Sequence, residues 1–160
     1  MAKNQIRNQI DVRADYHVHR GAIKSESGLS VKKVARAIFD TAANDSSGVS
    51  NKTVAAHGLG VFLPTKAIIT RAWYQVVTAL TSTNSTATVA LSANGANDIK
   101  TATAVADATF GTTGFKEGIS DGTAAQFVQC SAERELIATV AVQALLFGKL
   151  VLHVEYRIGD

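Results

Sequence analysis

The sequence predicts an all-β fold, an antiparallel β-sandwich or jelly roll of about eight strands preceded by an extended N-terminal arm. Three observations lead there. The run from Lys149 to Ile158 alternates with period two: Leu150, Leu152, Val154, Tyr156 and Ile158 share one face. Lys149, His153, Glu155 and Arg157 share the other, with Val151 the single apolar exception. Such a strand is buried on one side and wet on the other. The same alternation recurs upstream in short segments separated by Gly, Asn, Ser and Pro signals. The first 30 residues, by contrast, hold only scattered apolar anchors and no sustained period.

Length and composition set the frame. A chain of 160 residues suits one domain with an appendage and can bury a core without staples. Residues 1–30 read as a basic extended arm, and residues 31–160 as the body. One cysteine, Cys130, excludes an intrachain disulfide and any cage of several thiolates. No apolar stretch approaches the length of a membrane span. The net charge of +3 is uneven: residues 1–36 carry eight basic against three acidic side chains, and residues 37–160 carry eight against ten. A basic arm on a near-neutral body suits docking onto an acidic surface; a solvated tail is the plain alternative.

The elements follow in order. Residues 1–30 cannot bury enough surface to fold alone, but Ile6, Ile10, Tyr16 and Ile23 can fill shallow sites on a partner. Val31 to Ala43 fits either a helical stripe or a strand feeding a loop. Thr53 to Leu63 reads as a strand broken at Gly58 and Gly60 and ended by Pro64. Ala67 to Val77 reads as a strong strand. Ile68, Thr70, Ala72, Tyr74 and Val76 make one face, and Ile69, Arg71, Trp73, Gln75 and Val77 the other. Ile69, Trp73 and Val77 are too apolar for a freely wet face and are expected to form an oligomer interface. After a polar loop, Thr86 to Ala93 is a strand with Ala87, Val89, Leu91 and Ala93 inward. Asp98 to Ala106 has few large side chains and suits a short helix over one end. Thr109 to Gly122 reads as glycine-dotted loops around a short strand, and Ala125 to Cys130 as a strand anchored by Phe127. Arg134 to Leu146 alternates with Leu136, Ala138, Val140, Val142, Ala144 and Leu146 inward, before a turn at Phe147-Gly148.

Candidate chemistry is thin. His17 and His19, two apart, could make half a metal site, but no third ligand lies near in sequence, and no metal or cofactor is expected. His57 precedes Gly58-Leu59-Gly60; without a strand-to-helix context this suits a bulge or close approach better than a phosphate loop. Glu133 and Glu135 read as surface charge, His153 as a polar residue of the wet face, and Cys130 as a small inert core residue. No serine sits in a nucleophile elbow. The chain is therefore not expected to be an enzyme. Aromatics are few and not interleaved with the Lys and Arg, so direct nucleic-acid binding is not expected.

His57-Gly-Leu-Gly-Val-Phe-Leu-Pro64, followed by Ala67-Ile-Ile-Thr-Arg-Ala-Trp-Tyr-Gln-Val-Val77, resembles a recurring element of virion structural proteins of tailed bacteriophages. Ala132-Glu-Arg-Glu-Leu136 is similar to theirs. So is the ending Ala144 to Tyr156, with a Gly-Lys turn before the last strand. The resemblance spans about residues 34–158 and rests on structural rather than catalytic motifs. It implies a jelly-roll decoration or cement protein on the capsid exterior, and it favours a strand at Val34 to Asp40. Residues 1–30 are longer and more basic than in that group. On this resemblance the partners are the major capsid protein and further copies of the chain, as a dimer or trimer, with no membrane. The protein would assemble in the host bacterial cytoplasm and reside on the virion. Arg7, Arg13, Arg20 and Lys24, with Ile6, Ile10, Tyr16 and Ile23, would form the capsid-binding arm. The alternatives are a head-fibre base, a tail-associated virion protein, or a carbohydrate-binding β-sandwich. Trp73 is the only Trp, which counts against the last.

Overall fold

Nine strands form two antiparallel sheets in the computed structural model, which describes residues 32–159. They are β1 (Lys33–Asp40), β2 (Ala56–Leu63), β3 (Ala67–Ser82), β4 (Thr88–Ser92), β5 (Lys100–Ala104), β6 (Gly114–Asp121), β7 (Val128–Gln129), β8 (Arg134–Ala141) and β9 (Leu145–Ile158). A single-turn helix, α1 (Ala108–Gly111), and a 3₁₀ turn at Ala124–Gln126 complete the set. The five-stranded sheet runs β1-β9-β3-β6, with β7 beside β6 on the same flank of β3; the four-stranded sheet runs β2-β8-β4-β5. Taking β6 and β7 as one broken strand, neighbours within each sheet, apart from the β4–β5 hairpin, come from distant parts of the chain, as in a jelly roll.

The period-two code places the core. Phe39 and Ala37 of β1, Leu150, Leu152 and Val154 of β9, and Ala72, Tyr74 and Val76 of β3 are all buried and face the four-stranded sheet. That sheet answers with Val89, Leu91, Leu136, Ala138 and Val140. Phe110 of α1 stacks on Tyr74 at 5.4 Å between ring centroids and closes one end. The inward residues expected for Thr86 to Ala93 and for Leu150 to Val154 are the buried ones.

Several local expectations are corrected. Asp98 to Ala106 holds strand β5, not a helix: Thr88 pairs with Ala104 and Val89 with Thr103. The helix comes later, where Asp107 accepts a bond from the Thr109 N–H at 2.7 Å. Ala125 to Cys130 opens in the 3₁₀ turn and keeps only the two-residue strand β7, and Phe127 is 41% exposed rather than an anchor. The alternation of β8 stops at Ala141. Val142, in the left-handed region at φ 69°, and Leu146 point outward, and Leu145 takes the buried place. Phe147-Gly148 is no turn either. It lies inside β9, where Phe147 pairs with Thr81 and the Gly148 carbonyl accepts from both the N–H and hydroxyl of Thr41. A side chain at Gly148 would run into Leu80, with its Cβ 2.7 Å from Leu80 Cγ. The glycine thus serves close packing between strands.

Buried or bonded carboxylates hold the loops. Asp45 accepts from the Ser47 hydroxyl at 2.7 Å and from the N–H groups of Ser47 and Val49 at 2.9 Å. Its other oxygen lies 3.0 Å from His57 Nδ1, and both side chains are almost wholly buried. His57 Nε2 meets the Thr53 carbonyl at 2.9 Å. The ring ties the 41–55 loop to the start of β2. Gly58 and Gly60 form a bulge against β8, and the Gly60 N–H donates to Glu135 at 2.7 Å. This agrees with the bulge expected there.

The same bonding predicts an acid response. The Ser47 hydroxyl and its neighbours hold Asp45 far below the usual carboxylate range. The Ala42 N–H and Lys149 lower Asp40; Thr109 lowers Asp107; the Thr123 N–H lowers Asp121; the Thr70 hydroxyl lowers Glu155. A carboxyl whose folded pKa lies below its unfolded value contributes stability above the unfolded value, about 3.9 for Asp, and loses it as pH falls through the folded value. Melting temperature should therefore drop steadily below about pH 4. Circular-dichroism melts at falling pH check this; a level profile down to about pH 2 would contradict it.

Candidate functional site

The outer face of the five-stranded sheet carries the most exposed apolar surface set in a regular array. Register puts Arg36, His153, Trp73 and Glu117 in one row across β1, β9, β3 and β6. The next row is Ile38, Val151, Gln75 and Phe115. Ile38 is 42% exposed, Val77 44% and Phe115 71%. Val151, the apolar exception on this face, is buried between its row neighbours.

Trp73 is held flat. Its ring stacks on His153 at 5.3 Å with planes 4° apart, and the Arg71 guanidinium sits 5.7 Å from its centroid. Arg71 in turn donates to Glu117 at 2.6 Å, a contact that raises its own pKa. Burial under the indole, aided by the Arg36 charge, lowers the His153 pKa and favours the neutral ring. A depression of about 300 Å³ lies between Arg71, Trp73, Phe115, Lys116 and Glu117. Toward the start of β1 a larger groove, about 520 Å³, is lined by residues that include Ile68, Thr70, Phe127 and Arg157. Flat, partly apolar and edged by paired charges, this face suits contact with another macromolecule.

The predicted interface residues divide. Trp73 and Val77 lie on the outer face as expected, but Ile69 does not; it is fully buried in the core. The cause is a β-bulge. Ile69 pairs with Tyr156 and Arg71 with Glu155, leaving Thr70 as the extra residue. Ala67 and Ile69 therefore face inward before the bulge, and Ala72, Tyr74 and Val76 after it. Thr70 anchors the bulge by donating to Glu155 at 2.6 Å. Sequence reasoning missed Ile38 and Phe115, which lie far apart in the chain and meet this face only through β9 and β3.

The arm residues Ile6, Arg7, Ile10, Arg13, Tyr16, Arg20, Ile23 and Lys24 lie outside the described residues, as do His17 and His19. Among the described residues no three His, Cys, Asp or Glu side chains gather as a metal site, and no helix is long and apolar enough to cross a membrane. Cys130 is buried, and that burial pushes its thiol pKa up, which fits an inert core role.

No family model matches the chain, and no curated protein matches it. Solved structures do. A chain of the acidic stable capsid structure of Helicobacter pylori bacteriophage KHP30 aligns with TM-score 0.56 at 18% identity, over 83% of this chain and 92% of that one. A chain of the cyanophage Pam1 capsid asymmetric unit gives 0.56 at 20% identity, over 84% and 89%. A chain of the capsid of Ralstonia phage GP4 gives 0.54 at 16%, again over 84% and 89%. At such identities the likeness is one of fold: over 83–84% of its length this chain shares its β-sandwich with chains found in three phage capsids.

Proposed function

We propose that this protein is a structural component of a bacteriophage head, a decoration or cement protein that binds the outer capsid surface, links neighbouring capsid subunits and stabilises the shell. The observation that carries this reading is the fold match over 83–84% of this chain and 89–92% of chains from three separate phage capsids. The outer sheet face, partly apolar and edged by paired charges, supports a binding role. Attachment is multivalent: copies joined through the face around Trp73, Val77, Ile38 and Phe115 present several arms at once, and weak contacts add to strong net binding. The partners are the major capsid protein and other copies of the chain. Assembly takes place in the bacterial cytoplasm, and the final location is the virion exterior.

The direct test mixes purified protein with capsids that lack it. Bound copies are counted by quantitative gel, and shell survival under heat or low ionic strength is compared with and without protein. Saturable binding and a more resistant shell are expected; no binding, or binding without added resistance, would refute the role.

Self-association is tested separately. Wild-type protein should be a dimer or trimer at micromolar concentration. Phe115→Glu places a charge on the edge strand β6 of the face and should shift it to monomer without unfolding it, since Phe115 is 71% exposed. Sedimentation velocity reads both. A monomeric wild type would remove this interface.

A further inference from the structure

We propose that the free edge of β1 is a joint between copies of this chain: it pairs antiparallel with the β1 edge of a second copy about a two-fold axis at Arg36, and Arg36 sets how tightly the joint closes. Among the described residues β1 bonds only to β9. The Thr41 N–H donates to the Gly148 carbonyl at 3.0 Å, one step beyond the pairing of Asp40 with Lys149. Along an antiparallel ladder, residues alternate between bonding to one neighbour and pointing away from it. Ala35, Ala37 and Phe39 therefore bond to β9. The N–H and C=O groups of Val34, Arg36 and Ile38 point off the edge, where no backbone group among the described residues meets them. The Asp40 carbonyl, next in line, already accepts from the Ala43 N–H and from Asn51 Nδ2, each at 3.0 Å. The open edge ends there.

The other sheet edges are broken or tied. β2 has a bulge between Gly58 and Phe62, and its Gly58 carbonyl accepts from the Ser46 N–H at 3.0 Å. Ile99, at the head of the short strand β5, accepts from the Ile119 N–H at 2.7 Å. β6 stops at Asp121, and its flank resumes only as the two residues of β7. β1 alone keeps an unbroken register, from Lys33 to Asp40. A regular strand of this kind is a template for pairing with another strand.

A second copy fits this edge because the edge is complementary to itself. With the axis at Arg36, Val34 faces the partner's Ile38 and Ile38 faces the partner's Val34. Every outward N–H and C=O of Val34, Arg36 and Ile38 then finds its counterpart. Moving the axis toward Ile38 would bring Val34 or Arg36 against the Asp40 carbonyl, which is already bonded. Val34 is 54% exposed and Ile38 42%, and this register sets each beside the other on the outer face. Arg36, exposed on the same face, meets its own copy at the axis. Like charges directly opposite one another weaken a pair. Arg36 thus holds the edges apart in dilute solution, where contact through the face around Phe115 dominates. Copies crowded on one surface have a high effective concentration, and there the edges close. The joint is separate from the outer-face contact and does not depend on the capsid role.

Oxidation of single-cysteine variants of the full chain reads the axis. Arg36→Cys should form disulfide-linked dimer at least ten times faster than Val34→Cys. Residues 36 of the two copies would stand about 5.5 Å apart between Cα atoms, within reach of a disulfide. Residues 34 would be about 13 Å apart along the strands, beyond it. Cys130 is 1% exposed, and the unsubstituted chain controls for it. Equal rates, or dimer from neither variant, would overturn the proposal, the latter by leaving the edge to another occupant. A second measurement needs no cysteine. Adding Arg36→Thr to Phe115→Glu removes the opposed charges where the outer-face contact is already lost. Sedimentation equilibrium should then show the dissociation constant of the dimer falling several-fold; an unchanged or weaker dimer would overturn the axis at Arg36.

Discussion

Removing residues 1–30 should leave a folded β-sandwich that no longer occupies capsids, with bound copies at a given concentration falling at least tenfold. The described core, from Ala37 to Val154, packs the two sheets against each other within residues 32–159. The far-ultraviolet spectrum and cooperative melting should therefore survive. Binding should not. The segment combines Arg7, Arg13, Arg20 and Lys24 with the apolar anchors Ile6, Ile10, Tyr16 and Ile23. Ordering such a chain costs about 1–2 kcal/mol per residue in backbone entropy, which a partner surface has to offset. Cationic contacts add a signature in salt. At about 1 M the Debye length shrinks to about 3 Å, so full-length protein should lose affinity with salt more steeply than the truncated form. Equal occupancy and equal salt response would make the segment a passive tail and leave the body as the sole binder.

Leu152→Ala should be a severe single truncation in the body, at about 3 kcal/mol, or a fall of roughly 10 °C in melting temperature. Leu152 is fully buried in the middle of β9, between Ala37 on β1 and Tyr74 on β3. Its neighbours belong to three strands pinned by backbone pairing, so the cavity cannot close by a local shift. Leu146→Ala, six residues earlier on the same strand but 43% exposed, should cost under about 1 kcal/mol. Paired denaturant titrations of the two variants check the contrast; similar losses would mean that β9 does not sit as described.

Much of this fold was legible because alternation is a local signal. Leu150, Leu152 and Val154 announce their burial within one strand, as do Val89 and Leu91. What local pattern could not give is where the phase breaks. Ile68-Ile69 offers two equivalent apolar residues, and only pairing with Tyr156 and Glu155 across the bulge decides that Ile69 goes in. Phe147-Gly148 has the composition of a turn, yet long-range bonds from Thr41 keep it in a strand. The Asp45–His57 contact was hidden for the same reason. Twelve residues separate the partners, and the loop that joins them has to fold before they meet. The outer face was half legible: Trp73 and Val77 share a strand, whereas Ile38 and Phe115 join them only through the sheet.

The central place of β9 also bears on how the protein is made. The bond from the Thr41 hydroxyl to the Gly148 carbonyl spans 107 positions, and among the described residues β1 has no sheet partner other than β9. On the ribosome, β1 and β3 must wait apart until the last of these strands has been synthesised. Folding dominated by such distant pairings runs on the order of milliseconds to seconds rather than microseconds. Until then the row of Ile38, Gln75 and Phe115 does not exist as a surface, because the strand that aligns it is missing. A nascent chain thus cannot present that surface to other molecules early. Synthesis of β9 becomes the event that licenses it to associate.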